Sequence, residues 1–166
     1  MPNLTMRFIR TKGIVSWLIC FITFSYEDHV EAKNRAGDAW VGAHAGTGIE
    51  ARSLDWADKD LLWSREYTIP CTDEQYERAM TFQESAIGTK YNYLGCLGVF
   101  LRSRKLNDPE RKDCSEHCFE LLTAAFQKPP MNIRPEYSWA VTPEMLHSAA
   151  IFIGKCTLHF VRGSKK

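Results

Sequence analysis

The sequence predicts an α+β fold in which an antiparallel sheet packs against helices, and three observations carry that reading. Glycine-punctuated segments rich in β-branched and aromatic residues crowd the first half of the chain. Two helices with complete N-terminal signals follow. No repeat, low-complexity tract or linker divides the 166 residues, so residues 1–166 read as a single domain. A chain of this length can bury roughly 70% of its unfolded surface without a covalent staple.

Taken in order, Met6 to Ile9 predicts a strand, and Gly13 breaks it from the apolar run ending at Phe24. That run follows Arg7, Arg10 and Lys12, as in a signal peptide. It is too short to span a bilayer and lacks a small-residue cleavage pattern, so it reads as a buried core helix. Asp28 to Ala32, Ala39 to His44 and Gly48 to Leu54 form an expected meander of strands, and Leu62 to Ile69 a further strand closed by Pro70. Thr72 with Gln75 makes a capping box for a helix carrying Tyr76, Met80, Gln83 and Ile87 on one face. Tyr91 to Leu101 reads as a short helix and Ser103 to Lys112 as an exposed loop. Asp113 caps the clearest helix, with a stripe of Cys118, Phe119, Leu122 and Phe126 that ends before Pro129 and Pro130. Thr142-Pro143 opens another helix, and Ile151 to Val161 is a candidate last strand.

The 21 Lys and Arg nearly cancel 20 Asp and Glu, leaving a net charge of +1, which argues against an electrostatically driven nucleic-acid binder. No membrane span is predicted. The six cysteines lack the spacing of a disulfide scaffold and read as reduced thiols, placing the chain in a reducing, cytoplasmic compartment. Neither Gly42 to Gly48 nor Gly95 to Gly98 has a phosphate-loop pattern, so no cofactor is implied. Oligomeric state is left open.

Cys114 directly follows the Asp113 cap, where unpaired N–H groups and the helix dipole favour a thiolate and could donate to an oxyanion. Of the five histidines, His29 is the preferred base, because Glu31 projects from the same strand face and can orient the imidazole. A metal reading places Cys114, His117 and Cys118 at i, i+3 and i+4 of one helix as zinc ligands, without a matching fourth ligand.

The order of elements, with His29-Val30-Glu31 on an early strand, Tyr91-Asn92-Tyr93-Leu94-Gly95, and then Asp113-Cys114-Ser115-Glu116, resembles the permuted papain-like amidases of the YaeF/YiiX type, relatives of NlpC-type cell-wall peptidases. The resemblance implies a circularly permuted papain-like fold and a cysteine hydrolase. Cys114 would be its nucleophile, His29 its base and Glu31 its orienting group, with His44 the alternative third member. Gly42 stands where relatives carry a carboxylate. The implied reaction passes through an acyl-enzyme on a small-molecule or peptide/acyl substrate, as an amide or ester. Two other readings stand beside it, a degenerate papain-like binding protein and a small zinc-binding module.

Overall fold

The computed structural model of the chain describes residues 1–101, 103–153 and 159–162. Strand β1 (Asn3–Thr11) is followed by helix α1 (Ile14–Thr23) and strands β2 (His29–Lys33), β3 (Ala39–His44), β4 (Gly48–Ser53) and β5 (Leu61–Pro70). Helix α2 (Asp73–Ala86), a short strand β6 (Lys90–Tyr91) and helix α3 (Tyr93–Leu101) come next. Strand β7 (Arg111–Lys112), helix α4 (Cys114–Phe126), helix α5 (Pro143–Ile153) and strand β8 (His159–Arg162) complete the order. The main sheet runs β4-β3-β2-β1-β5-β8, with β1 pairing antiparallel to both β2 and β5. The expected meander is therefore present. No local signal marks that β5 returns to the far side of β1 rather than extending from β4. Of the segment expected as a last strand, residues 151–153 belong to α5, residues 154–158 lie outside the described residues, and the strand starts at His159.

Strand alternation divides the residues into two layers. Leu4, Met6 and Phe8 of β1 join Val30, Ala32, Val41, Ala43, Tyr67 and Ile69 in a core shared with Met80, Phe119, Leu122 and Leu146 of the helices. Each of the buried Leu, Met, Phe, Val and Ile side chains contributes about 1.5–3 kcal/mol. Ile9 turns to the opposite face, where Ala57, Leu61 and Trp56 form a smaller cluster. Arg7 shares this second face, and its burial there is the first departure from an ordinary half-exposed sheet.

The caps form as their chemistry dictates. Thr72 and Gln75 make a reciprocal capping box. Asp113 accepts the Glu116 backbone N–H at 2.8 Å, and Ser115 Oγ, bonded to Asp113, also donates to the Val141 carbonyl at 2.8 Å. The expectation for α1 is corrected. Only Ser16 and Cys20 of this helix are buried, while Ile14, Val15, Trp17, Leu18 and Phe21 are exposed, so it is a surface helix and not a core helix. Periodicity could not separate the two cases because the helix is apolar on nearly every side. Among the described residues no helix is long and apolar enough to cross a membrane.

Gly48 and Gly37 both have positive φ, +92° and +75°, but a Cβ on Gly48 would lie 2.2 Å from the Thr89 carbonyl oxygen, whereas one on Gly37 would meet nothing within 4 Å. Gly37→Ala should therefore cost about 1–2 kcal/mol of backbone strain alone. Gly48→Ala should cost a further 1–3 kcal/mol, roughly, from the clash. Paired urea denaturation curves check the order, and equal midpoints for the two variants would contradict it.

Candidate metal centre

The β1–β2 register sets Arg7 against Glu31 and Ile9 against His29. The β2–β3 register pairs Ala32 with Val41 and Lys33 with Trp40, and continuing it toward the start of β2 brings Glu31 opposite Gly42 and His29 opposite His44. The His29 and His44 rings lie 4.7 Å apart between centroids. Gly42 makes room for this grouping. A Cβ there would stand 3.0 Å from Glu31 Cβ and 3.1 Å from His29 Nε2.

Glu31 is completely buried and fully engaged. Arg7 donates to Oε1 through Nε at 2.7 Å and also through Nη2, while its Nη1 reaches the Leu54 carbonyl at 3.2 Å. Trp56 Nε1 donates to Oε2 at 3.1 Å. Arg7 stacks over the Trp40 ring, its Cζ 4.5 Å from the centroid, so the cation is stacked on one face as well as paired. Burial would raise the Glu31 carboxyl, but its interactions with His29 and Arg7 outweigh that penalty and hold it below the usual range. It is a carboxylate.

Toward the open side of Oε2 stand the two imidazoles, His29 Nε2 at 3.4 Å and His44 Nε2 at 4.0 Å. Neither nitrogen has a hydrogen-bond partner, His29 Nε2 touching Glu31 through charge at 3.4 Å alone. Burial, the neighbouring His29 and the cations Arg52 and Arg7 push His44 down to about 2, so its ring is neutral at physiological pH with a lone pair available. Trp56 is edge-on to both rings, at 5.8 Å from His29 and 4.8 Å from His44. One ligand atom from each of His29, Glu31 and His44 lies within 4.8 Å of the others. Beside them is a cavity of about 360 Å³ bordered by Ile14, Ile19, Asp28, Ala57 and the two histidines.

A second group, Glu27, Glu144 and His147, lies where α5 packs on β5. There both ring nitrogens are engaged, Nδ1 at 3.0 Å from Glu27 Oε1 and Nε2 by the Tyr67 hydroxyl. That arrangement ties a helix to the sheet and leaves no free imidazole nitrogen.

The expected thiol site is not assembled. Cys114 does head α4, and Asp113 caps it, but the thiol is buried, and burial together with the adjacent Asp113 raises it well above the ordinary range. A backbone hydrogen bond from Val30 opposes this shift without reversing it. The space next to Cys114 amounts to about 10 Å³, room for no substrate. Among the described residues no histidine hydrogen-bonds to it. The helix-terminus argument failed because desolvation in the core exceeds what a helix dipole returns. The zinc set on α4 fails too. Cys114, His117 and Cys118 do not converge; His117 instead stacks 5.8 Å from Phe82, and burial lowers it to about 4. Sequence reasoning paired His29 with Glu31 correctly in space and held His44 only as a substitute. Arg7 and Trp56 were missed. Arg7 left one signal, a cation set between two apolar residues of a strand, whereas Trp56 in its turn left none.

No protein-family description matches the sequence, and no curated protein does. Among solved structures, the fold matches the crystal structure of metalloprotein yiiX from Escherichia coli O157:H7, DUF1105, with a TM-score of 0.61 over 99% of this chain and 98% of that one, at 12% identity. At that identity the likeness concerns the fold. It corrects the circularly permuted papain-like, NlpC-related assignment: the chain has the α+β fold of the yiiX metalloprotein. The cysteine hydrolase with its thiol nucleophile is overturned by the site itself, where Cys114 is buried without room for a substrate and His29 and Glu31 group with His44 instead.

Proposed function

We propose that the chain is a single-domain divalent-metal-binding module whose ligands are His29 Nε2, His44 Nε2 and Glu31 Oε2. The observation that carries this reading is the pair of buried imidazole nitrogens without hydrogen-bond partners, both within 4.0 Å of one carboxylate oxygen. In a tetrahedral zinc site, ligand atoms about 2.0–2.1 Å from the ion stand roughly 3.3 Å apart. The 3.4 Å His29–Glu31 spacing matches, and the 4.0 Å His44–Glu31 spacing needs a small closure. Two imidazoles and a carboxylate suit zinc first among common ions. The description of the matching structure as a metalloprotein points the same way.

The chain's own residues prepare the site. Arg7 occupies Oε1 and fixes the carboxylate plane, which leaves Oε2 for the ion and offsets the Glu31 charge before binding. Trp56 closes one side with its ring and orients Oε2 through its indole N–H. Gly42 keeps the floor clear. When bound, such an ion supplies a Lewis acid at the edge of the cavity. A cavity of about 360 Å³ suits a small molecule or the end of a peptide or acyl chain. Cys20, Cys71, Cys96, Cys114 and Cys118 are all free thiols, in keeping with a reducing, cytoplasmic setting.

Metal analysis of the purified chain, followed by calorimetric titration of zinc into chelator-treated protein, tests the assignment. One equivalent should bind, and at a hundredfold excess over Kd it should stabilise the fold by about 2.7 kcal/mol. His44→Ala should weaken binding at least tenfold while Cys118→Ser leaves it unchanged. Loss of metal in Cys118→Ser but not in His44→Ala would move the ion to α4 and refute the β2–β3 site.

A separate check concerns the thiol. Iodoacetamide labelling of native Cys114, followed by mass spectrometry across pH 5–9, should be slower at every pH than labelling of a free thiol of pKa about 8.5, and His29→Ala should not change it. A fast plateau at low pH, abolished by that substitution, would restore a thiolate–imidazolium pair.

A further inference from the structure

The first turn of α1 has no cap. Gly13 precedes it without a side chain to offer, and the turn carries no acidic residue. The N–H groups of Ile14, Val15 and Ser16 are therefore donors that the helix itself does not use. Residues 12–16 all border the cavity of about 360 Å³ that also reaches His29 and His44. His44 points independently to a ligand in the same volume, because it is only 4% exposed and its Nε2 has no hydrogen-bond partner. An unclosed helix start and an unengaged buried imidazole thus share one cavity.

Charge decides what that cavity accepts. Its charged side chains, Lys12 and Arg52 against Asp28 and Asp60, cancel one another. Asp28 is already engaged by the Thr11 N–H at 3.1 Å and the Thr11 hydroxyl at 2.5 Å, and Arg52 by Glu50 at 2.7 Å. At the metal centre Arg7 offsets Glu31, and imidazoles bind a metal as neutral rings. A divalent ion held there keeps both of its positive charges uncompensated, and the start of α1 adds the equivalent of roughly half a charge. Only an anion answers that field. With Arg52 engaged, the donors left for it are the backbone N–H groups of a single turn, which suit the two oxygens of a carboxylate better than the larger charge of a phosphate. Ile9, Ile19, Ala43 and Ala57 add apolar wall. We propose that the cavity takes a small apolar carboxylate, its carboxyl group shared between an ion at His29, Glu31 and His44 and the first turn of α1. The proposal rests on the metal assignment above.

The test is calorimetric titration of octanoate and of octanol into the full chain, once loaded with one equivalent of zinc and desalted, and once chelator-treated. Octanoate should bind the zinc-loaded chain at least tenfold tighter than octanol does, and at least tenfold tighter than it binds the chelator-treated chain. Ile14→Asp places a competing carboxylate at the first helical position and should weaken octanoate at least fivefold relative to the neutral Ile14→Asn, with both variants still taking up one equivalent of zinc. Ile14 is 79% exposed, so both should keep the fold, which circular dichroism checks. If either misfolds, Val15→Asp against Val15→Asn serves in its place. Zinc uptake with octanoate and octanol bound alike, with octanoate bound equally without zinc, or with octanoate indifferent to the Asp substitution, would overturn the carboxylate site and leave the metal reading standing. Failure to take up zinc would overturn the metal reading and this proposal with it.

Discussion

A carboxylate with no access to water sits on the outer face of the central strands, and the arrangement around it follows from the need to stabilise it. An isolated buried charge would be neutralised or expelled. Glu31 is retained because Arg7, one strand away in direct register, supplies the opposite charge, and Trp56, from the turn after β4, supplies a further donor. Those contacts leave one side of Oε2 facing two imidazoles. Replacing only one member of such a buried pair is costly, because it strands the other charge. The turn carrying Trp56, the stacking of Arg7 on Trp40 and the absence of a side chain at Gly42 are accommodations to that one carboxylate.

The opposite face of the same strands follows a different logic. There the alternation delivers only apolar groups, and α4 presses its first turn onto β2. The same burial that holds a neutral imidazole on one side of the sheet keeps a neutral thiol on the other. His44 gains a free lone pair by losing its charge, whereas Cys114 loses nucleophilicity by keeping its proton. One physical effect, desolvation, thus leaves an imidazole with a free lone pair on one face and an inert core thiol on the other.

Much of the fold was legible along the chain because its signals are local. The capping box at Thr72, the Asp113 cap and the alternation through β2 and β3 each depend on neighbours a few residues away. What escaped depends on distant partners. That β5 returns to pair with β1 is decided by a register between segments far apart, and the burial of Arg7 only makes sense once Glu31 lies opposite. Cys114 looked reactive because a helix start can be read from sequence and the volume left beside a sulfur cannot. For α1 the hydrophobic run marked a helix correctly, yet a uniformly apolar stretch gives no indication of which side meets solvent. His29 and Glu31 shared a face by simple alternation, and His44 was reachable by counting across the hairpin, but nothing local favoured it over the thiol as their companion.

The position of the proposed ligand set on a single hairpin has a consequence for the order of events during folding. His29, Glu31 and His44 come together through β2–β3 pairing, a short-range closure that requires neither the helices nor β5. Strand β1, by contrast, must wait for two partners, one of them separated from it by the whole meander. Local pairings form faster than remote ones because less chain entropy is lost in closing them. The hairpin can therefore gather its imidazoles and carboxylate early in folding, and the arrival of Arg7 with β1 then sets how firmly that carboxylate is held.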